Sequence, residues 1–328
     1  MDTENTATPY ARPATPPVLA VVVPCYHEEQ ALPLSMPRLL GVLDSLVSAG
    51  KISPDSFVLC VDDGSKDATW DTILALHSRD PRVRGVALAH NRGHQYALLA
   101  GLMTVTPVCD AAVSIDADMQ DDPEAIGRMV DKFNAGVEIV YGVRASRATD
   151  TWFKRNSARA FYRLQNSMGL QTVYDHADYR LMSRRALEML GRYKEQNLFL
   201  RGIVPLIGLT TDTVSYDRHE RVAGESKYPL RKMLAFSVDG ITSFSAKPLR
   251  WIFLTGMGLL LIDLLVAIYV LIAFFAGNAV SGWSSLMLSV WFLGSLILMA
   301  IGVVGEYVGK VFTEVKARPR FEIRETVW

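Results

Sequence analysis

Ala111-Ala112-Val113-Ser114-Ile115-Asp116-Ala117-Asp118-Met119-Gln120-Asp121 joins an apolar run to a series of oxygen-bearing side chains, and this junction decides the fold. A short run rich in Ala, Val and Ile reads as a buried strand. Beyond it, side chains two positions apart turn to the same side of an extended chain, so Asp116, Asp118 and Gln120 share one face. Such oxygen ligands suit magnesium or manganese, which bridge one or two carboxylates to a substrate diphosphate. An Asp-x-Asp taken alone also suits a solvated turn at the end of a strand. Its company in the chain distinguishes the two.

Working outward, Val18 to Val23, Phe57 to Val61, Val83 to Leu88 and Val137 to Tyr141 repeat the apolar run, alternating with longer helical patterns. This predicts an α/β domain with a mainly parallel sheet covered by helices on both faces. Polar clusters follow the runs: Pro24-Cys25-Tyr26-His27-Glu28, Asp62-Asp63-Gly64-Ser65 and Asp116-Ala117-Asp118. Ligands of open α/β sheets sit outside the carboxyl ends of the strands, where these clusters fall. Gly64 permits a tight turn, and Ser65 or Asp67 can cap the next helix. A second carboxylate is not needed for a turn but can accept hydrogen bonds from a nucleobase or ribose. Asn91-Arg92-Gly93-His94 opens a helix whose amides either face phosphate or serve as a plain cap.

The other decisive stretch is apolar. No charged residue occurs between Leu264 and Gly305, and the region divides into Ile252 to Ala276 and Leu286 to Gly309 around a polar turn, Gly277 to Ser285. Each piece exceeds the roughly 20 helical residues that cross a hydrocarbon core of about 30 Å. Lys247 and Arg250 precede the first piece, and Lys310, Lys316, Arg318 and Arg320 follow the second. Positive flanks stay in the cytoplasm, so a two-pass membrane protein with a cytoplasmic domain and cytoplasmic termini is expected. Asp263 lies inside the first span and demands a partner, most readily between helices or subunits, while Glu306 and Lys310 share a helix face. From Tyr228 to Arg250, Lys232, Lys247 and Arg250 mix with Leu230, Met233, Leu234, Phe236 and Phe244, as in helices lying in the headgroup layer. Gly256, Gly258, Gly302, Gly305 and Gly309 allow close helix approach and suit a homo-oligomer, a tetramer among the options.

With 34 basic and 34 acidic residues the chain lacks the basic excess of a nucleic-acid binder. Cys25, Cys60 and Cys109 are few, scattered and set in or beside apolar runs, which fits reduced packing residues better than a disulfide or zinc site. The first seventeen residues lack the basic start and apolar core of a signal peptide and read as a disordered tail.

The ordered set Pro24-Cys25-Tyr26-His27-Glu28, Asp62-Asp63-Gly64-Ser65, Asn91-Arg92-Gly93 and Asp116-Ala117-Asp118-Met119-Gln120-Asp121 resembles family 2 glycosyltransferases of the GT-A fold. Ala177-Asp178-Tyr179-Arg180-Leu181, Phe199-Leu200-Arg201-Gly202, Arg221-Val222-Ala223-Gly224-Glu225-Ser226-Lys227-Tyr228 and Gly305-Glu306-Tyr307-Val308-Gly309-Lys310 resemble its polyprenyl-phosphate branch, the bactoprenol glucosyltransferases and dolichol-phosphate mannose synthases. The resemblance runs from about Val18 to Arg320. It implies a GT-A, Rossmann-like domain over 18–228, juxtamembrane helices over 229–250, a two-helix membrane hairpin over 251–309 and a basic cytoplasmic tail over 310–328. It further implies that Pro24, Tyr26, Glu28, Asp62, Asp63, Asn91 and Gly93 hold the nucleotide, with Asp116, Asp118 and Gln120 around a magnesium or manganese ion. His27 stands where Asn is common, and His94 where Lys is common.

The implied reaction is inverting transfer of glucose or N-acetylglucosamine from a uridine diphosphate sugar to undecaprenyl phosphate or a related carrier, yielding a lipid-linked monosaccharide for the cell envelope. A lipid phosphate, with a second pKa of about 6, arrives already ionised and needs no general base. Asp178 is therefore expected to orient sugar hydroxyls or an arginine, or to pair with Arg180 or Arg184, and Arg201 joins Asp116, Asp118 and Asp178 among the catalytic candidates. Drawing one anion toward another needs a cationic cradle, for which Arg144, Arg155, Arg221, Ser226 and Lys227 are the candidates and Arg159 a further cation. Two other readings compete: a processive polysaccharide synthase, which carries Gln-x-x-Arg-Trp where this chain has Gln196 ahead of Arg201-Gly202, and an inactive nucleotide-sugar-binding scaffold.

Overall fold

The computed structural model describes residues 15–144, 176–217 and 282–328, together with positions 249, 251, 252, 254–258, 261, 262, 264, 265, 268 and 272. These form two compact units, one holding the residues up to 217 and those from 318 onward, the other those from 249 to 317.

In the first unit strand and helix alternate as β1 (Leu19–Cys25), α1 (Leu32–Ser48), β2 (Phe57–Asp62), α2 (Thr69–Arg79), β3 (Val83–Leu88), α3 (His94–Val105), β4 (Ala111–Ser114), α4 (Ala125–Asn134) and β5 (Ile139–Arg144). There follow β6 (His176–Ser183), α5 (Arg184–Leu190), α6 (Leu200–Leu206) and β7 (Thr211–Tyr216). The eight-stranded sheet runs β7-β5-β6-β4-β1-β2-β3-β8, its last member being Ile323–Val327. β1 pairs in parallel with both β2 and β4, so the chain winds outward through β2 and β3 and then returns to the other side of β1. This reversal opens a crevice at the carboxyl ends of β1 and β4. The sheet is mixed, because β6 runs antiparallel to both β4 and β5.

Every residue of β1 and β2 is buried, as expected for strands covered on both faces. α4 shows the usual helical solution: Ala125, Ile126, Met129, Val130 and Phe133 form one apolar stripe and are its buried residues. After its polar first turn α3 is buried from Ala97 to Leu102 and packs across β1, β2 and β4. Gly101 permits that approach, since a Cβ there would lie 2.5 Å from Val22 Cγ1 and 2.7 Å from Val61 Cγ2.

In the second unit α7 (Trp283–Lys316) continues for 34 residues. Its Phe292–Lys316 stretch is long and apolar enough to cross a membrane and is the one such helix among the described residues. Leu298 is 72% and Met299 67% exposed, an apolar surface that water would not favour. The described positions between 249 and 272 are helical, but most of the expected first span lies outside the described residues, as do Arg155, Arg221, Ser226, Lys227 and nearly all of 229–250.

The end of the chain departs from the expected basic tail. α7 runs past Lys310 to Lys316, Ala317 closes it in the left-handed region at φ 44°, and Ile323–Val327 then pairs antiparallel with β3 as an edge strand. The charges of Arg324 and Glu325 hid the strand: an edge strand is exposed and tolerates charge, so its pattern resembles that of a tail.

Candidate active site

The site is built on the carboxyl ends of β1, β2 and β4 and the start of α3. β2 ends on Asp62, followed by Asp63, and both are buried. Asp62 Oδ1 accepts from Ser65 N at 3.0 Å, whereas its Oδ2 is buried without a hydrogen-bond partner among the described residues. A buried carboxylate oxygen left in that state is costly, so it marks a position that a ligand donor would satisfy. Asp63 accepts from the amides of Arg92, at 2.7 Å, and Gly93, at 2.8 Å. Burial raises its pKa against those two bonds. Sequence alone left the amides of this turn free to face phosphate; here two of them are committed to Asp63, which fixes the entry to α3. Gly64, at φ +64°, makes the crossing possible, because a Cβ there would lie 2.7 Å from both Asn91 N and the His90 carbonyl carbon.

After β1, Tyr26 is 45% exposed and stacks on His27, with ring centroids 4.1 Å apart. His27 holds φ 57°, and its amide donates to Ser65 Oγ at 3.1 Å, tying the β1 loop to the β2 loop. Glu28 N donates to Thr69 Oγ1 at 2.9 Å, and the Glu28 carbonyl accepts from Ala31 and Leu32 at the start of α1. Pro24 lies in β1 opposite Val61.

Beyond β4 the extended alternation expected from sequence survives as a pattern of exposure: Ala117, Met119 and Asp121 are buried, while Asp116, Asp118 and Gln120 are partly exposed. The backbone itself turns, with Met119 at φ 53° and Gln120 N donating to Asp118 Oδ1 at 3.2 Å. A non-glycine residue held in that region is strain of a kind that collects at functional sites. The Asp116 pKa is pushed up to about 6, chiefly by burial, with His94 opposing and Asp178, Asp121 and Asp118 adding to the rise.

That surplus of negative charge tests the fit of a divalent cation. Asp116 and Asp118 supply hard oxygen donors, and a nearby cation would offset the repulsion from Asp178, Asp121 and Asp118 that adds to the rise at Asp116. No group of three or more His, Cys, Asp or Glu is arranged around one point among the described residues.

Facing Asp116 is Asp178 on β6. Arg180 NH2 reaches Asp178 Oδ1 at 2.7 Å, and Arg201, from α6, donates Nε to Oδ1 at 3.2 Å and NH2 to Oδ2 at 3.0 Å. His94, the first residue of α3, stands between the two acids, its Nε2 3.7 Å from Asp116 Oδ1 and 3.7 Å from Asp178 Oδ2. Burial alone would raise the Asp178 pKa, but His94, Arg201 and Arg180 outweigh it and hold the carboxyl well below the usual range. For His94 burial favours the neutral ring, and Asp178 and Asp116 reverse that to raise its pKa. Of the two pairings expected for Asp178, the structure shows the one with Arg180; Arg184 instead joins Asp110 at 3.1 Å.

Arg144, at the end of β5, is the described member of the expected cationic cradle. Its NH2 lies 3.5 Å from Asp121 Oδ1, which also accepts from Tyr216 Oη at 2.6 Å. The Asp121–Tyr216 and Asp121–Arg144 pairs had no signal in sequence, because they join residues of separate strands and loops, whereas the Asp178–Arg180 pair lies within one strand and was expected.

The family 2 glycosyl transferase model matches residues 20–191, which carry nearly all of this site. Among curated relatives, the glycosyltransferase YkoT of Bacillus subtilis (strain 168) is 51% identical over 307 residues, covering 94% of this chain and 91% of YkoT. The bactoprenol glucosyl transferase of Shigella phage SfX is 38% identical over 310 residues, covering 93% of this chain and 98% of its own. Among solved structures, mannosyl-3-phosphoglycerate synthase from Rubrobacter xylanophilus aligns at 16% identity with a TM-score of 0.46, covering 72% of this chain and 74% of that one. The chain belongs to glycosyl transferase family 2.

Proposed function

We propose that this glycosyltransferase moves a single sugar, glucose or N-acetylglucosamine, from a uridine diphosphate donor to the phosphate of undecaprenol or a related polyprenol at the cytoplasmic leaflet. The observation that carries this reading is the state of Asp178. A carboxylate facing the Asp-x-Asp turn is where a proton-accepting base for a sugar hydroxyl would be sought, yet two guanidinium groups and His94 hold it ionised. Its lone pairs are occupied and its basicity is low, so it makes a poor proton acceptor. An acceptor that arrives as an anion avoids the need.

The residues divide the work. Asp62, through its unpartnered Oδ2, and Asp63, through the turn it fixes, belong to the nucleoside side, together with Pro24, Tyr26, Glu28, Asn91 and Gly93. Asp116, Asp118 and Gln120 would hold magnesium or manganese. Such an ion, when bound, supplies charge neutralisation for the departing diphosphate. Arg201, held in a two-point grip by Asp178, presents a fixed cation at that carboxylate. Arg144 extends positive charge along the same side, with Arg155, Arg221, Ser226 and Lys227 proposed to complete the hold on the lipid phosphate. Catalysis then consists of alignment and charge stabilisation, and direct displacement inverts the anomeric carbon.

Membrane attachment is part of this proposal, because its acceptor is a lipid. α7 supplies a span and the apolar region before it a second, with the catalytic domain on the cytoplasmic side and a homo-oligomer formed through the glycine-bearing helix faces. The bactoprenol glucosyl transferases among the relatives favour the same acceptor class. The test is incubation of purified full-length protein with labelled uridine diphosphate sugars, divalent metal and undecaprenyl phosphate. A lipid-linked monosaccharide is expected. A polymer, or binding of donor without product, would reject the proposal.

A further inference from the structure

The last eleven residues do more than extend the sheet. The Ala89 amide donates to the Glu322 carbonyl at 2.9 Å, β8 pairs with β3, and Trp328 packs edge-on against Phe57 at 5.9 Å. Arg84 lies over both of those rings, 3.9 Å from the Phe57 centroid and 4.8 Å from that of Trp328. Glu325 accepts from Trp70 Nε1 at 3.1 Å. The Trp328, Arg84 and Trp70 contacts anchor the segment away from the site, whereas the Ala89 bond already ties it to the start of the loop that leads to His94.

At its near end the segment meets both loops that deliver cationic groups to Asp178. Arg92 NH2 donates to the Pro319 carbonyl at 3.3 Å, and Arg320 NH1 donates to the Tyr193 carbonyl at 2.8 Å. Arg92 lies in the turn that places His94, and Tyr193 begins the loop that leads to Arg201. The two loops also join directly, through Leu200 N to Gln95 Oε1 at 2.8 Å and through Tyr96 Oη to the Gln196 carbonyl. Adjacent residues of one strap thus bind one loop each, while β8 holds the strap to the sheet.

We propose that Arg320 is a positioning residue, and that the Pro319–Arg320 strap holds the loops of residues 89–96 and 193–201 in the register that sets His94 and Arg201 on either side of Asp178. The catalytic consequence rests on the site proposed above. The mechanical claim does not, and is measured separately.

The test uses full-length protein in lipid nanodiscs, comparing wild type with Arg320→Ala, Arg320→Lys and Glu325→Gln by amide hydrogen exchange and by steady-state kinetics. Loss of one hydrogen bond of ordinary strength makes exchange about tenfold faster where it governs opening. For Arg320→Ala the expected result is faster exchange of about that size in peptides covering 193–201, a smaller rise in 89–96 passed on through the Gln95 and Tyr96 bonds, unchanged exchange in β1, β2 and β4, and a fall in kcat larger than any rise in donor KM. Arg320→Lys, which keeps one donor, should recover most of both effects. Glu325→Gln weakens the distant anchor and should lower thermal stability with loop exchange and kcat unchanged. The proposal is overturned if Arg320→Ala leaves both loops as protected as in wild type, or if Glu325→Gln reproduces its kinetic effect, either of which reduces the strap to a general stabiliser. Loss of loop protection in a protein that transfers no sugar would leave the strap standing and remove the function proposed above.

Discussion

Asp178→Asn separates a positioning acid from a base. The substitution keeps shape and one acceptor oxygen, removes the charge, and points an amide toward two guanidinium groups. The Arg180 side chain is 2% exposed, so it is left as a buried cation without its counter-ion. Breaking a buried pair from one side costs about 3–5 kcal/mol, which should lower the unfolding midpoint by several degrees. Replacing Arg180 by Met in the same protein should return much of that loss. For catalysis, Arg201 loses a charge-assisted grip of about 1.5–3 kcal/mol, which corresponds to roughly ten- to two-hundredfold in kcat/KM. The assay measures labelled sugar transfer to undecaprenyl phosphate, alongside titration of uridine diphosphate binding and thermal unfolding. A measurable residual rate is expected. A fall beyond about 10⁴-fold with donor binding and stability intact would refute the reasoning, because it would assign the proton-accepting role to Asp178 and remove the argument for an anionic acceptor.

Further consequences follow from the same geometry. Asp118→Ala should abolish transfer, and chelation should do the same to wild type with recovery on adding magnesium or manganese; full turnover of either in metal-free buffer would reject the ion. Gly64→Ala places a methyl against the backbone of His90 and Asn91 at a positive φ, so donor KM should rise at least about tenfold as the Asp63 turn shifts, measured by donor titration. Gly101→Ala overpacks α3 against Val22 and Val61 and should cost about 1–3 kcal/mol, partly restored by Val61→Ala, as read from unfolding midpoints. Because the folded pKa of Asp178 lies below its unfolded value of about 3.9, its stabilising contribution is present above that pH and is lost as pH falls through the folded value. The stability gap between wild type and Asp178→Asn should therefore narrow as pH is lowered from about 4.

Sequence legibility tracked the locality of the forces involved. β1 to β5 were readable because each is a short apolar run between helical patterns, and their burial on both faces removes any polar alternation that would mask them. β6 and β7 carry Asp178, Tyr179, Arg180, Asp212 and Tyr216, so their composition is that of a polar surface segment. Their strand character comes from pairing with β4 and β5 at long sequence separation, which no local window contains. β8 is the extreme case, since its partner β3 lies more than 200 residues earlier.

The same division runs through the site. Asp62, Asp63, Asp116 and Asp118 were legible because strand ends of an α/β sheet point ligands one way, and the exposure pattern from Ile115 to Asp121 keeps the predicted period of two. What their carboxylates touch was not legible. Asp63 could be read as a nucleotide ligand, but its two shortest bonds go to the amides of Arg92 and Gly93, about thirty residues away. Its first effect is therefore on the direction in which α3 starts, and hence on where His94 stands. Asp178 acquires its chemical character only from Arg180, Arg201 and His94, drawn from one strand and two helix starts. A single acid in sequence is an acid of unknown basicity; surrounded by three nitrogen groups it is a fixed anion. That difference, set by folding, is what favours the proposed acceptor, one that already carries its negative charge.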